Sequence, residues 1–222
     1  MKKGEVIGIG GLQGQGQEEL LLAIAGYLPV NRGEILLGNE HVKLRHPVDA
    51  IRKGIVLVPG DRNKEGLFLS HSILKNFIFP KVALKETKWF ITFKAYQNEA
   101  SKIVETLSIK TSSVNTEIIN LSGGNQQKVV IGKWLPLEPK VLLLSDPAKG
   151  VDVQAKMELY EVVKQLAENG TAVVLYASDN DELIRHCDKV LVMYEGEIVE
   201  LLENNNITEE RLITASLRSN IN

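Results

Sequence analysis

The chain has 222 residues, 44% of them hydrophobic, with 26 Lys and Arg against 28 Asp and Glu and a formal net charge of −2. That suffices for one full-sized core, and cations scattered along the chain argue against a nucleic-acid-binding stripe. One cysteine, Cys187, and four dispersed histidines exclude a disulfide framework and a Cys-based or His-spaced metal centre.

The chain opens MKKGE and passes straight into an apolar run, with no signal-peptide pattern and nothing near the ~18 residues of a membrane span. It therefore reads as a soluble, cytosolic protein whose membrane role, if it has one, runs through a partner. In chain order, 5-EVIGIG-10 is a strand and 17–27 a helix, with the glycine-rich loop 11-GLQGQGQE-18 between them. The stretch 33-GEILLGNEHV-42 is a hairpin turning at Gly38 and Asn39, followed by a helix over 47–53 and a strand at 55–59. Residues 68–120 differ: they are helical and lack a buried-strand signature, so an inserted helical subdomain is expected there, with Phe68, Phe77, Phe79, Trp89, Phe90, Phe93 and Tyr96 assigned to its core. Helices follow over 95–108 and 123–135, then the strand 141-VLLLS-145 and a helix over 153–168. Strand 171–177 and helix 179–186 lead to Cys187, read as a small packing residue, and to a second hairpin, 189-KVLVMYEGEIVELL-202, turning at Gly196. Thr208 caps a last helix over 209–217, whose first turn carries Glu209 and Glu210. Nearly continuous apolar strands alternating with helices give an α/β fold with a mainly parallel sheet.

Two stretches carry chemistry. A glycine-rich loop between a strand and a helix lets backbone N–H groups approach phosphates, and Gly11, Gly14 and Gly16 satisfy that frame. Where a phosphate loop continues with Lys and then Ser or Thr, this chain has Gln17 and Glu18. The second stretch, 121-LSGGNQQKVVIGKWL-135, opens a helix at Ser122 and spends two glycines on its first turn, at about 1 kcal/mol of helix propensity each. A hydroxyl, unobstructed N–H groups at Gly123 and Gly124, and the positive helix end all suit a γ-phosphate.

LSGGNQQKVVI resembles the signature motif of the ATP-binding subunits of ABC transporters, and its N-Q-Q-K continuation resembles the simple-sugar importers of the ribose, galactose and xylose type. Those subunits carry two ATPase-like halves, and 58-VPGDRNKEGLF-68 and 141-VLLLSDPAKGVDV-153 resemble segments of the second half. The resemblance runs from about residue 4 to about residue 217. It implies a P-loop NTPase fold of the ABC ATPase kind: a RecA-like, mainly parallel sheet, an inserted helical subdomain at 68–120 and flanking antiparallel strands. Residues 1–222 then form one nucleotide-binding domain lacking its N-terminal strands, the adenine-stacking aromatic among them.

The resemblance also fixes where the chain departs from the family. Aligning Pro147, Gly150 and Asp152 places Ser145 at the Mg²⁺-organising acid and Asp146 at the catalytic base; one residue off, Asp146 would be the Mg²⁺ acid and Pro147 would replace the base. Ser178 falls at the switch histidine and Gly60 at the Q-loop glutamine. Glu18 either occupies its own anion site or points to solvent. Asp152 is expected both to cap the following helix and to meet a partner domain as the D-loop acid. The implied function is a catalytically degenerate domain that binds no metal of its own and lends Ser122, Gly123, Gly124 and the nearby Gln126 to a competent nucleotide-binding domain, where ATP and Mg²⁺ are held. The other partners are transmembrane permease subunits, faced by the helical subdomain, and indirectly a sugar-binding protein, with the chain peripheral on the cytoplasmic side of the membrane. Two alternatives stay open: an ATPase active in its own right through Asp146, and an interaction module on the same fold that never touches ATP.

Overall fold

Among the residues that the computed structural model describes, 1–84 and 93–217, the chain forms eight strands and eight α-helices. In order these are β1 (Val6–Gly10), α1 (Gln17–Ile24), β2 (Ile35–Leu37), β3 (Glu40–Val42), α2 (Pro47–Arg52), β4 (Ile55–Val58), α3 (Ile73–Ala83), α4 (Phe93–Thr106), α5 (Gly123–Gly132), β5 (Val141–Ser145), α6 (Val153–Glu168), β6 (Ala172–Tyr176), α7 (Asn180–His186), β7 (Lys189–Tyr194), β8 (Glu197–Glu203) and α8 (Glu209–Ser216). They gather into two units, one from Met1–Leu57, Lys140–Asp146 and the chain from Lys164 onward, the other from Val58–Pro139 and Pro147–Val163. The segment 68–120 lies inside the second.

The first unit is built on a six-stranded sheet in the order β4-β5-β6-β1-β7-β8. β1 runs parallel to both β6 and β7, β5 runs parallel to β6, and β8 returns antiparallel to β7. The central strands are apolar on both faces because both faces are covered: Ile9, Ile55, Leu143, Tyr176 and Met193 share one cluster with Leu21 and Ala25 of α1. A side chain at Gly8 would begin 2.8 Å from the Cys187 Sγ, so β1 and the end of α7 meet only because residue 8 has none. Cys187 is thus the packing residue expected, and burial pushes its thiol well above the ordinary value. Both hairpins form where expected. The β7–β8 turn places Glu195 at φ +47° and Gly196 at φ +82°, the left-handed pair that a two-residue hairpin favours. His46 caps α2, its Nδ1 accepting from the Val48 N–H while Asp49 accepts from the His46 N–H, a reciprocal box that accounts for that histidine structurally.

The second unit is helical. Ser72 caps α3, and the buried Asn76 amide ties the preceding turn by accepting from the Phe68 N–H and donating to the Phe68 and Ser72 carbonyls. Lys81 on α3 and Glu99 on α4 form an ion pair of 2.8 Å. Residues Arg62–Gly66 make a single π-helical turn, an element the apolar pattern did not announce, opened by Asp61 accepting from the Asn63 and Lys64 N–H groups. The aromatic assignment needs correction: Phe77 is buried, but Phe68 and Phe79 are nearly half exposed and stack edge to face at 4.6 Å. Trp89, Phe90 and the Phe93 side chain lie outside the described residues.

Candidate functional site

The loop 11–16 is anchored before any ligand is considered. A side chain at Gly11 would collide with the Met193 carbonyl at 2.3 Å, and the Gly196 N–H donates to the Gln15 carbonyl, so the loop rests on the β7–β8 hairpin. Gly16, at φ +103°, is the N-cap of α1 and supplies no side-chain acceptor. The group that fills the loop is Gln17, only 1% exposed. Its Oε1 accepts from the Gln15 N–H at 3.0 Å and its Nε2 donates to the Leu12 carbonyl at 2.9 Å. Glu18 is exposed, so of its two readings the solvent-facing one holds, and the built-in occupant of the loop is Gln17. The Tyr176 phenol is held above its ordinary value first by burial, then by the charges of Asp146, Glu18 and Glu19, which marks this corner as acidic.

Ser145 ends β5 and carries only a hydroxyl. Asp146 follows in a left-handed conformation, φ +47°, of which Asp is among the more tolerant side chains. It is 7% exposed, and its Oδ1 accepts from the Ser178 N–H at 3.4 Å. The structure therefore joins Asp146 and Ser178, through a backbone donor. Gly60, half-buried after β4, presents no side chain.

The second unit carries the other candidate. Ser122 is the N-cap of α5, as expected, with its Oγ 3.5 Å from the Asn125 N–H and 2.9 Å from the Asn125 Nδ2. A side chain at Gly124 would meet the Ala155 Cβ at 2.4 Å, and one at Gly123 would meet the Arg62 guanidinium at 2.9 Å. Both glycines thus have a packing reason besides the approach of a ligand: α6 crosses at one, an arginine lies over the other. Gln126 does not reach outward. Its Nε2 donates to the Ile118 and Leu121 carbonyls and its Oε1 accepts from the Arg62 Nε, whose guanidinium also donates to the Lys149 carbonyl. Asp152 caps α6 by accepting from the Ala155 N–H at 3.0 Å.

Five residues of this end were not singled out by sequence. Lys128, one turn along α5 from Gly124, is 2% exposed; its Nζ donates to the Ser108 carbonyl and to Glu158 of α6 at 2.8 Å. Lys110 adds a second ion pair to Glu158 at 3.2 Å, and the two ammonium groups hold the Glu158 carboxyl down to about 2. Arg62 and Asn125 complete the set. The signal for Lys128 was a polar residue on the apolar face of a helix, but its partner lies 30 positions away.

Comparison with known proteins gives a consistent result. A family model described as ABC transporter matches residues 1–149. The ribose import ATP-binding protein RbsA 1 of Rhizobium johnstonii is 43% identical over 219 residues, which is 98% of this chain and 43% of that protein. The ribose import ATP-binding protein RbsA of Bacillus licheniformis is 41% identical over 214 residues, again 43% of its length, so the chain spans less than half of these relatives. Among solved structures, the ADP conformation of an ATP-binding cassette of an ABC transporter superposes with a TM-score of 0.83 at 22% identity, covering 98% of this chain and 89% of that one. A dimeric cassette in a post-hydrolysis state with ADP and Pi gives 0.76 at 21% identity, covering 91% and 87%. These likenesses establish the P-loop fold of ABC ATPases, a mostly parallel sheet with antiparallel strands. With the family model matching 149 of its 222 residues, this chain belongs to the ABC transporter family as an ATP-binding domain.

Proposed function

We propose that the chain is a nucleotide-binding domain of an importer of a simple sugar, ribose being the sugar in its relatives' names, and that it lends the N-terminus of α5 to a partner domain. One observation carries this reading: the Ser122 cap of α5 is exposed beside the Arg62 guanidinium with no acid in its first turn, while the loop at α1 is closed by its own glutamine.

The residues around that loop do not suit a Mg²⁺–triphosphate. Gln17 brings no charge and engages the Gln15 N–H that a phosphate would need. Ser145 offers no carboxylate to a metal, and no group of three metal-binding side chains occurs among the described residues. Asp146, Glu18 and Glu19 make the corner around Tyr176 negative, which disfavours a polyphosphate there. No step of hydrolysis is assigned to this pocket.

ATP and Mg²⁺ belong instead to the partner's pocket. Ser122 and the N–H groups of Gly123 and Gly124 would bind the γ-phosphate there, with Gln126 bracing the turn, Arg62 adding positive charge and Asp152 meeting the partner. A related cassette solved as a dimer with ADP and Pi supports a paired arrangement. The exposed Phe68 and Phe79 suit a permease contact. No helix among the described residues is long and apolar enough to cross a membrane, which fits a peripheral place on the cytoplasmic face.

Calorimetric titration with Mg-ATP tests the closed loop. The chain alone should give no measurable heat of binding, and Gln17→Lys, Glu18→Thr and Ser145→Asp together should restore part of it. Tight binding by the unmodified chain would make an ATPase active in its own right the better reading.

A further inference from the structure

We propose that Asn125 fixes the Ser122 hydroxyl as a hydrogen-bond donor aimed at the partner's γ-phosphate, so that Asn125 is a positioning residue of the shared site. This rests on the trans reading above. The Lys110 backbone N–H can only donate. It lies 2.9 Å from the Asn125 side chain, so the atom it meets is the amide oxygen. The amide nitrogen is then the atom facing the Ser122 Oγ, at 2.9 Å, and it can only donate.

A serine hydroxyl has one proton and two lone pairs. One lone pair is taken by the Asn125 Nδ2, and the long cap contact from the Asn125 N–H draws the other inward as well. The proton must therefore turn away from α5. No acceptor for it occurs among the described residues, and Ser122 is exposed. An ordinary serine cap needs only the backbone contact. Here an amide that is 8% exposed is added, and its effect is on the direction of the hydroxyl. A hydroxyl held as a donor, beside the Gly123 and Gly124 N–H groups and the Arg62 guanidinium, selects an anion over a cation or a neutral donor.

The rival explanation is that Asn125 only ties α5 to the turn at Lys110. A double-mutant cycle separates the two, read as kcat/KM for ATP hydrolysis by the complex of this chain with its competent partner domain. Asn125→Asp keeps the size and the acceptor for Lys110 but replaces the donor facing Ser122 by an oxygen, which turns the hydroxyl inward. Ser122→Ala and Asn125→Asp should each lower kcat/KM by roughly ten- to hundred-fold, the range for a hydrogen bond to a charged group. Together they should be no worse than Asn125→Asp alone, whose new carboxylate also repels the phosphate when the hydroxyl is gone. Asn125→Ala frees the hydroxyl without reversing it and should cost only about threefold, again with no added loss over Ser122→Ala; it carries the same cycle should the Asp variant not fold. Losses that multiply in the double variants, or an alanine variant as damaging as the aspartate, would overturn the role of Asn125 alone. A Ser122→Ala variant with full activity would overturn the trans reading and this inference with it.

Discussion

The N-termini of α1 and α5 are both glycine-rich turns that open a helix, and they are finished in opposite ways. At α1 the cap is a glycine, Glu18 and Glu19 lie in the first turn, and Gln17 folds back to take a loop N–H. At α5 a serine caps the end, the first turn has no acid, and a guanidinium lies alongside. Two carboxylates offset the positive end of α1, each by about 0.3–1 kcal/mol, whereas α5 is left with uncompensated positive potential. What a helix end can bind is therefore decided less by its glycines than by the side chains competing for its N–H groups and field.

The supports differ too, and breaking them should give unequal results. The largest effect is expected at Glu158, which neutralises the buried Lys128. Glu158→Gln leaves that buried ammonium with neutral acceptors only, the Ser108 carbonyl and the new amide oxygen, and should cost roughly 2–4 kcal/mol by denaturant unfolding, with loss of the help given to a partner domain. The same pair sets an acid limb. The folded carboxyl titrates at about 2 against 4.5 when unconstrained, so its contribution is complete above pH 4.5 and drains away as pH falls toward 2. In the Gln variant that part of the stability–pH curve should flatten. Next is Gly124→Ala, whose new methyl collides with Ala155 and should cost about 1–3 kcal/mol and push α5 off α6. Gln17→Ala leaves the Gln15 N–H and the Leu12 carbonyl without their partner and should cost about 1–2 kcal/mol, yet partner stimulation should stay within about twofold. That last result would sharpen the contrast, because the damaged loop is the one assigned no catalytic work. Smallest is Arg62→Ala, expected to weaken stimulation about threefold and to flatten its salt dependence, as loss of one half-buried cation should.

Much of this was legible because it is local. The strands were bounded apolar runs, the hairpins turned at Gly38–Asn39 and at Gly196, and Ser122, Asp152 and Thr208 stood where caps belong. The motif residues placed the chain in its family. What stayed hidden depends on direction or on distance along the chain. The residues put Gln17 where a phosphate-loop frame calls for lysine but do not tell that its amide turns inward. It made Glu18 a rival for the role that Gln17 fills, since charge can be read from a letter and a rotamer cannot. Lys128 looks like any polar residue of a helix until Glu158 is placed against it. Phe68 and Phe79 were assigned to a core by residue type, and their exposure depends on the packing of α3.

The central claim is that this chain contributes to hydrolysis only through a partner's pocket. Its most direct test is steady-state ATP hydrolysis by the chain alone, by a competent partner domain alone, and by the two together. Expected are background for the first, slow turnover for the second, and at least about tenfold faster turnover for the mixture, the scale of one lost charge-assisted hydrogen bond. Brisk hydrolysis by the chain alone, or a mixture no faster than the sum of its parts, would contradict it.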